Sequence, residues 1–434
     1  VDTANIQNPV LVFNSLSWHR TGVIELPSKG IRKNESYVAV DNEGTEFPVQ
    51  VGIDKKMRFL GTVPALGHNV FSIRKGHTEA PQIKASNTRL ENDRLRVEIS
   101  RNGLISRIHD KKADREVLEP GEIGNRFILF EDKMASTGTA WDVDIYYLDK
   151  PLEIDGHLLS TEVIEQGPVR SVIRTRRSIG KSTITQDIIL SANSARIDFV
   201  TSVEWGDEKD VLLKVAFPVN VRSTKARYDI QFGSIERPTH WNTSWDFARF
   251  EVPAHKWADL SEGNYGVALL NDCKYGYDIK DNVIRLSLLR APKEPGKSAD
   301  VNRTHEFTYA LFPHEGDFTN GPVREGYELN VSFRAERVDP AKGTIPPCFS
   351  YMNVDCENVI IETVKRAEDD DGIIVRLYET NGWRGNCVFR TSIPVPKAFE
   401  TNLMEEEERE LAFENGGIRL YFEPFQIRTL KLTL

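Results

Sequence analysis

The chain has 434 residues, 28% of them charged and 39% apolar, and a mean hydropathy of −0.41. This suits a soluble globular protein with length for two to four domains, and no run approaches about eighteen uninterrupted apolar residues, so no transmembrane helix is expected. A net charge of −9 and a pI near 5.7 make nucleic acid and anionic membranes poor partners and leave neutral substrates as the better fit.

The first residues, "VDTANIQNPVLVFNSLSW", lack a basic region followed by an apolar one, so they do not read as a signal peptide. They also lack an initiator Met and run at once into strand-like "VLVFN", which points to a piece of a longer protein. "GVIELP", "YVAV", "PVQVG" and "HNVFSI" follow between Gly/Pro turns, and "KGHTEAPQIKASN" (75–87) reads as a linker. "RLRVEIS" (94–100) places Leu95, Val97 and Ile99 on one face, "RNG" turns the chain, and "LISRIHD" alternates again, predicting a hairpin. "KKADREVLE" is read as one short helical turn. "ARIDFVTSVEW" (195–205) alternates from Ala195 to Trp205. "RVDPAKGTIPPCF" (337–349) reads as a second linker, and the chain runs on through "NVIIETVKRA" and "GIIVRLYET" to "LKLTL". The period-two pattern predicts an all-β, antiparallel, sandwich-like protein. Three domains are expected, at 1–75, 76–340 and 341–434. The acidic runs "EDDD" (368–371) and "EEEE" (405–408) read as solvated turns.

Four cysteines, at 273, 348, 356 and 387, form no C-x-x-C pair and do not make a disulfide framework, so a reducing compartment is the simplest reading. The chain has no G-x-G-x-x-G after a strand, no Walker A pattern, no G-x-S-x-G and no H-E-x-x-H. Its nine histidines show no metal-ligand spacing. Two stretches remain. "STGTAWDVDIYYLDKP" (136–151) sets Trp141, Tyr146 and Tyr147 among Asp142, Asp144 and Asp149. "SIERPTHWNTSWDFARFEVPAHKWADLSE" (234–262) carries Trp241, Trp245 and Trp257 without strand-like alternation, and a long irregular segment in a β-domain is usually functional or interfacial. Aromatic faces stack on sugars and carboxylates accept hydroxyl hydrogen bonds, but the same residues can plug the end of a sandwich or anchor an interface.

These two stretches, with "VLVFNSLSWHR", "NYGVALLNDCKYGYDIKDNVIRLSLLRAPKEP" and "HEFTYALFPH", closely resemble the C-terminal half of the family 38 glycoside hydrolases, the α-mannosidases. The look is that of the microbial cytosolic enzymes, and the resemblance spans essentially the whole chain. It implies a large mutarotase-like super-sandwich flanked by two small sandwiches, and a cytoplasmic location. It further implies that an N-terminal α/β-barrel of the same polypeptide holds the catalytic zinc, nucleophile and acid/base, and is this region's partner. Retaining hydrolysis of terminal α-mannosides needs two carboxyls about 5–5.5 Å apart, and neither is named here. The barrel's His-x-Asp has no counterpart in this chain, so no catalytic residue, metal ligand or bound cofactor is expected. A homo-oligomer is compatible with the resemblance.

On the same ground, residues at the rim of a mannoside cleft or at the domain interface are Trp141, Asp142, Asp144, Tyr147, His255, Trp257, Asp259 and Arg290. Trp141 to Asp144 match a W-D-[IV]-D motif, and Arg290 matches an arginine that approaches the substrate region. "STGTA" stands where relatives often show a second Trp-Asp, so part of an aromatic wall is missing. Asp142 and Asp144 can either touch sugar or hold the loop through backbone N–H groups. Two alternatives are a free-standing carbohydrate-binding module and a mutarotase-like aldose epimerase. The epimerase would need a His acid and a Glu base, drawn from His240 or His255 with Glu236 or Glu251.

Overall fold

The computed structural model describes residues 1–32, 35–80, 82–133, 140–292, 301–414 and 416–433. The first part of the "STGTAWDVD" stretch, 136–139, lies outside them. The chain divides into two compact units. One comprises Val1–Ala80, Gln231–Ser234 and Val331–Leu434, and the other Pro81–Ile230 and Ile235–Asn330.

The first unit contains two apolar cores. One lies under the sheet in which Pro9–Asn14 pairs with Gly67–Lys75 on one side and Arg334–Arg337 on the other, while Cys348–Ser350 also pairs with Gly67–Lys75. Val10, Val12, Phe59 and Phe71 are fully buried there. The second core gathers Val375, Leu377, Phe389 and Leu430 between the sheet of Val359–Arg366, Ile373–Glu379 and Ile427–Leu432 and the sheet of Gly385–Thr391 and Gly417–Phe422. Cys356 and Cys387 are joined in a disulfide across this core, with Cα atoms 5.5 Å apart. That corrects the reading of four reduced thiols. The 31-residue spacing forms no recognisable pattern, and only the fold brings the two residues together.

The second unit is built on one large core, whose fully buried members include Phe127, Phe199, Leu213, Val215, Phe217, Leu269 and Leu311. A nine-stranded antiparallel sheet runs in the order His157–Glu165, Arg170–Ile179, Ser182–Ser191, Ile197–Trp205, Arg303–Glu315, Tyr265–Asn271, Trp257–Glu262, Lys225–Ile230 and Gly233–Pro238. A six-stranded sheet runs Pro151–Ile154, Arg126–Glu131, Val211–Pro218, Val283–Ala291, Gly276–Lys280 and Val252–Pro253. The class is therefore all-β and antiparallel, as the alternation predicts. In Ile197–Trp205 every odd residue is buried, and in Leu95–Ile99 so are Leu95, Val97 and Ile99. The chain passes from one sheet to the other at Asp155 and Gly156, both at positive φ. A Cβ on Gly156 would lie 2.1 Å from the Ser178 carbonyl oxygen, so only glycine fits that turn.

One local expectation fails. "KKADREVLE" forms no helix: a turn leads into the short strand Arg115–Glu116, which pairs with the end of Ile105–Asp110. The pairing satisfies backbone groups that an isolated helical turn would leave open. A nine-residue helix does form at Pro322–Asn330, with Val323 and Tyr327 buried at i and i+4.

Candidate functional site: a loop on a buried charge cluster

The loop begins from strand Arg126–Glu131, whose end reaches Asp132. Asp132 is buried, and its carboxylate accepts from Arg290 Nε and, at 3.1 Å, from Arg290 Nη2. The same Nη2 donates to the backbone carbonyl of Asp142. Arg290, at the end of strand Val283–Ala291, thus ties the loop to the six-stranded sheet through a two-pronged ion pair. Trp141 beside it is 88% exposed. The Asp142 carboxylate is exposed and accepts from the Val143 N–H at 2.8 Å. Asp144 precedes the 3-10 helix Ile145–Asp149, and its carbonyl accepts from the Tyr147 N–H.

Tyr147 turns inward from that helix. Its ring packs edge-on against Phe130, with Val143, Leu148 and Phe250 around the pair. Its hydroxyl donates to Glu251 Oε1 at 2.5 Å and accepts from Lys214 Nζ at 3.1 Å. Lys214 is 0% exposed. It donates to Glu251 Oε1 and to Asp278 Oδ2, the latter at 2.5 Å, and Arg285 Nε lies 3.1 Å from Asp278 Oδ1. Two cations face two carboxylates, so the buried charges balance. Burial first, and then the carboxylates of Glu251 and Asp278, push the Tyr147 phenol far above its ordinary range, so it stays a donor. Sequence reasoning named Tyr147 and missed Lys214 and Asp278. The available signal was a single Lys inside "VLLKVAF", where every residue of the strand is buried.

The other expected rim residues lie elsewhere. Trp257 is 1% exposed and stacks on Phe318 at 6.0 Å. Asp259 is 2% exposed, accepts from Ser261 Oγ, and lies 2.8 Å from His314 Nε2. Ala258 and Leu260 of the strand Trp257–Glu262 enter the large core, so Trp257 and Asp259 lie on the opposite face of the sheet, where Phe318 and the helix Pro322–Asn330 cover the Trp257 ring and His314 meets Asp259. His255 is half-buried, its ring 5.7 Å from that of Tyr275, and its backbone is held by Asp229 and Asn271. The structure brings Arg290, Asp142 and Tyr147 into one assembly and leaves Trp257, Asp259 and His255 outside it. The epimerase pairs do not form: His240 Nδ1 lies 3.8 Å from Asp246, Glu236 pairs with Lys225 and Arg227, and Glu251 is engaged by Lys214.

Among the described residues, the one group of three or more His, Cys, Asp or Glu side chains with ligand atoms within 4.8 Å of one another is Asp355, Cys356 and Cys387. Its sulfurs are bonded to each other and are not thiolates, so this donor set does not fit a zinc ion.

Residues 90–298 match the model of the glycosyl hydrolases family 38 C-terminal domain, and residues 358–430 that of the family 38 C-terminal beta sandwich domain. Fold and matches together define the class, the all-β C-terminal region of a glycosyl hydrolase. Alpha-mannosidase G of Dictyostelium discoideum is 37% identical over 440 residues, covering 97% of this chain and 40% of that protein. Alpha-mannosidase 2C1 of Mus musculus is 36% identical over 434 residues, covering 98% of this chain and 40% of its own length. The crystal structure of an alpha-mannosidase from Enterococcus faecalis V583 has the same fold over 100% of this chain and 57% of its own, with a TM-score of 0.79 at 17% identity. The chain belongs to glycosyl hydrolase family 38, and it spans about 40% of the length of the curated relatives it matches.

Proposed function

We propose that this chain is the non-catalytic C-terminal region of a cytoplasmic α-mannosidase that hydrolyses terminal α-mannosides with retention. The zinc and the two catalytic carboxyls belong to an N-terminal barrel of the same polypeptide, on which this region packs. Three sandwich domains, 1–75, 76–340 and 341–434, make up the region. Trp141, Asp142 and Asp144, held by Arg290 and Tyr147, form part of the rim of the substrate cleft or of the interface with the barrel. The observation that carries the reading is 36–37% identity along nearly the whole chain to two proteins named alpha-mannosidase, each extending well beyond it. The 88% exposure of Trp141, on a loop anchored by an ion pair, supports its assignment to a contact surface.

The test is hydrolysis of a chromogenic α-mannoside by the purified chain, with and without added zinc, and then by the same chain co-expressed with the rest of its polypeptide. The expected result is no turnover by the chain alone and turnover after co-expression. Arg290→Ala should lower that turnover by about tenfold or more through misplacement of the loop. Turnover by the chain alone that survives repurification would overturn the proposal.

A further inference from the structure

A second feature of the large unit takes no part in the proposed function. A surface depression of about 330 Å³, counting its open mouth, lies between strands Gly233–Pro238 and Gly276–Lys280 and the short helix Ser244–Phe247. Three cations line it: Arg237, Arg249 and Lys280.

The two carboxylates there do not cancel these charges. Asp278 forms part of the wall but is bonded from behind by the buried Lys214. Asp246 accepts from the Thr243 N–H at 3.2 Å and from the Thr243 hydroxyl at 2.8 Å, the capping box of the short helix, and His240 lies 3.8 Å from it. Arg237 and Arg249 have no carboxylate partner among the described residues. Arg237 Nε is buried with no hydrogen-bond partner among the described residues, which leaves the guanidinium charge unopposed from within the fold. The Arg237 guanidinium lies 5.8 Å over the Tyr228 ring, and Lys280 Nζ lies 3.9 Å over the Trp241 ring, so aromatic faces hold both cations in place.

We propose that this depression is a binding site for a small-molecule oxyanion, a phosphate or carboxylate group held in the fork of Arg237 with Arg249 and Lys280 around it. Planar guanidinium groups bind both anions through paired N–H donors, and the open mouth leaves the rest of the ligand outside. The floor of the site is continuous with the loop assembly. Asp278 is bonded to Lys214, Lys214 to Tyr147, and Phe250 both lines the depression and packs in the Tyr147 cluster.

The test is calorimetric titration of the 434-residue chain with inorganic phosphate, with glycerate and with mannose, at fixed ionic strength set by chloride. Saturable binding of phosphate or glycerate is expected, with no heat from mannose. The two anion arms distinguish a phosphate-bearing ligand from a carboxylate-bearing one. Arg249→Gln, at an exposed position that cannot unfold the core, should weaken the anion about tenfold or more, and Arg237→Gln should do the same with an unchanged melting curve. Arg366→Gln, at an exposed arginine of the other unit, should leave affinity unchanged. No saturable anion binding, binding indifferent to both pocket variants, or binding of mannose in place of the anions would overturn the proposal. None of these results bears on α-mannoside turnover, so this site and the mannosidase reading stand or fall separately.

Discussion

At the scale of single residues, Lys214 is the most consequential side chain in the large unit. It is fully buried and bonded to two carboxylates and a phenol. A buried pair adds little net stability over an apolar replacement, but removing one partner strands the other. Lys214→Met should therefore cost about 3–5 kcal/mol, read as a lower denaturation midpoint. Adding Glu251→Gln and Asp278→Asn should recover part of that loss. A single variant as stable as the parent would show that the cluster is solvated. Asp229 predicts a pH effect. Burial raises its carboxyl above the ordinary aspartate value of 3.8, against the pull of the Lys256 ammonium 3.7 Å away. A raised pKa in the folded state stabilises fully below pH 3.8, and that contribution is lost as pH rises through the folded value. The stability of the parent relative to Asp229→Asn should fall as pH climbs from that point, and a flat difference in melting temperature would contradict it. These groups were hard to read in sequence because a charge inside an apolar run announces burial but not its partner. Tyr147 stands out in the aromatic and acidic 136–151 stretch and Arg290 through the family resemblance, while Asp132 and Asp278 sit in or beside ordinary strands.

Among the elements, the strands were the most legible, since alternation marks which face is buried. The hairpin of Leu95–Ile99 and Ile105–Asp110 forms as its pattern requires, with one irregularity at Glu98/Ile99. What alternation does not carry is the place of a strand in its sheet. The first four residues of Trp257–Glu262 are buried, Ala258 and Leu260 in the core and Trp257 and Asp259 on the other face beneath covering elements, so the Trp and Asp are buried despite their look of surface chemistry. Trp257→Ala should cost about 3–5 kcal/mol by opening a cavity beside Phe318. Equilibrium denaturation checks this, and a loss below about 1 kcal/mol would show that the ring is not closely packed. The 234–262 segment reads as irregular because its strands at 233–238, 252–253 and 257–262 are short or broken by the helix Ser244–Phe247. Its interest survives in another form, since Arg237, Trp241 and Arg249 from this segment line the oxyanion pocket.

For the molecule as a whole, composition and strand pattern indicate an all-β chain, and the family resemblance agrees with matches over residues 90–298 and 358–430. The Cys356–Cys387 bond was not legible, because two cysteines 31 positions apart signal a link only once their strands are neighbours. Closing a loop of that length limits the unfolded chain, so Cys387→Ser should cost about 3–4 kcal/mol on the chain-entropy account. Dithiothreitol should produce a similar drop in the parent and none in the variant. Equal melting temperatures with and without reductant would show that the bond adds nothing.

The pairing of Val10 with Arg337 bears on how the chain is made as well as on how it stands. The strand Pro9–Asn14 leaves the ribosome before the large unit, while its edge partner Arg334–Arg337 appears only after that unit has been synthesised. At about 5–20 residues per second, that strand waits roughly tens of seconds with one edge open. An open strand edge on a nascent chain is a template for pairing with a neighbouring chain. The ordering of Pro81–Asn330 is thus nested inside an unfinished sheet, and yield during synthesis should be more sensitive to elongation rate and chaperone supply than the stability of the finished fold would suggest.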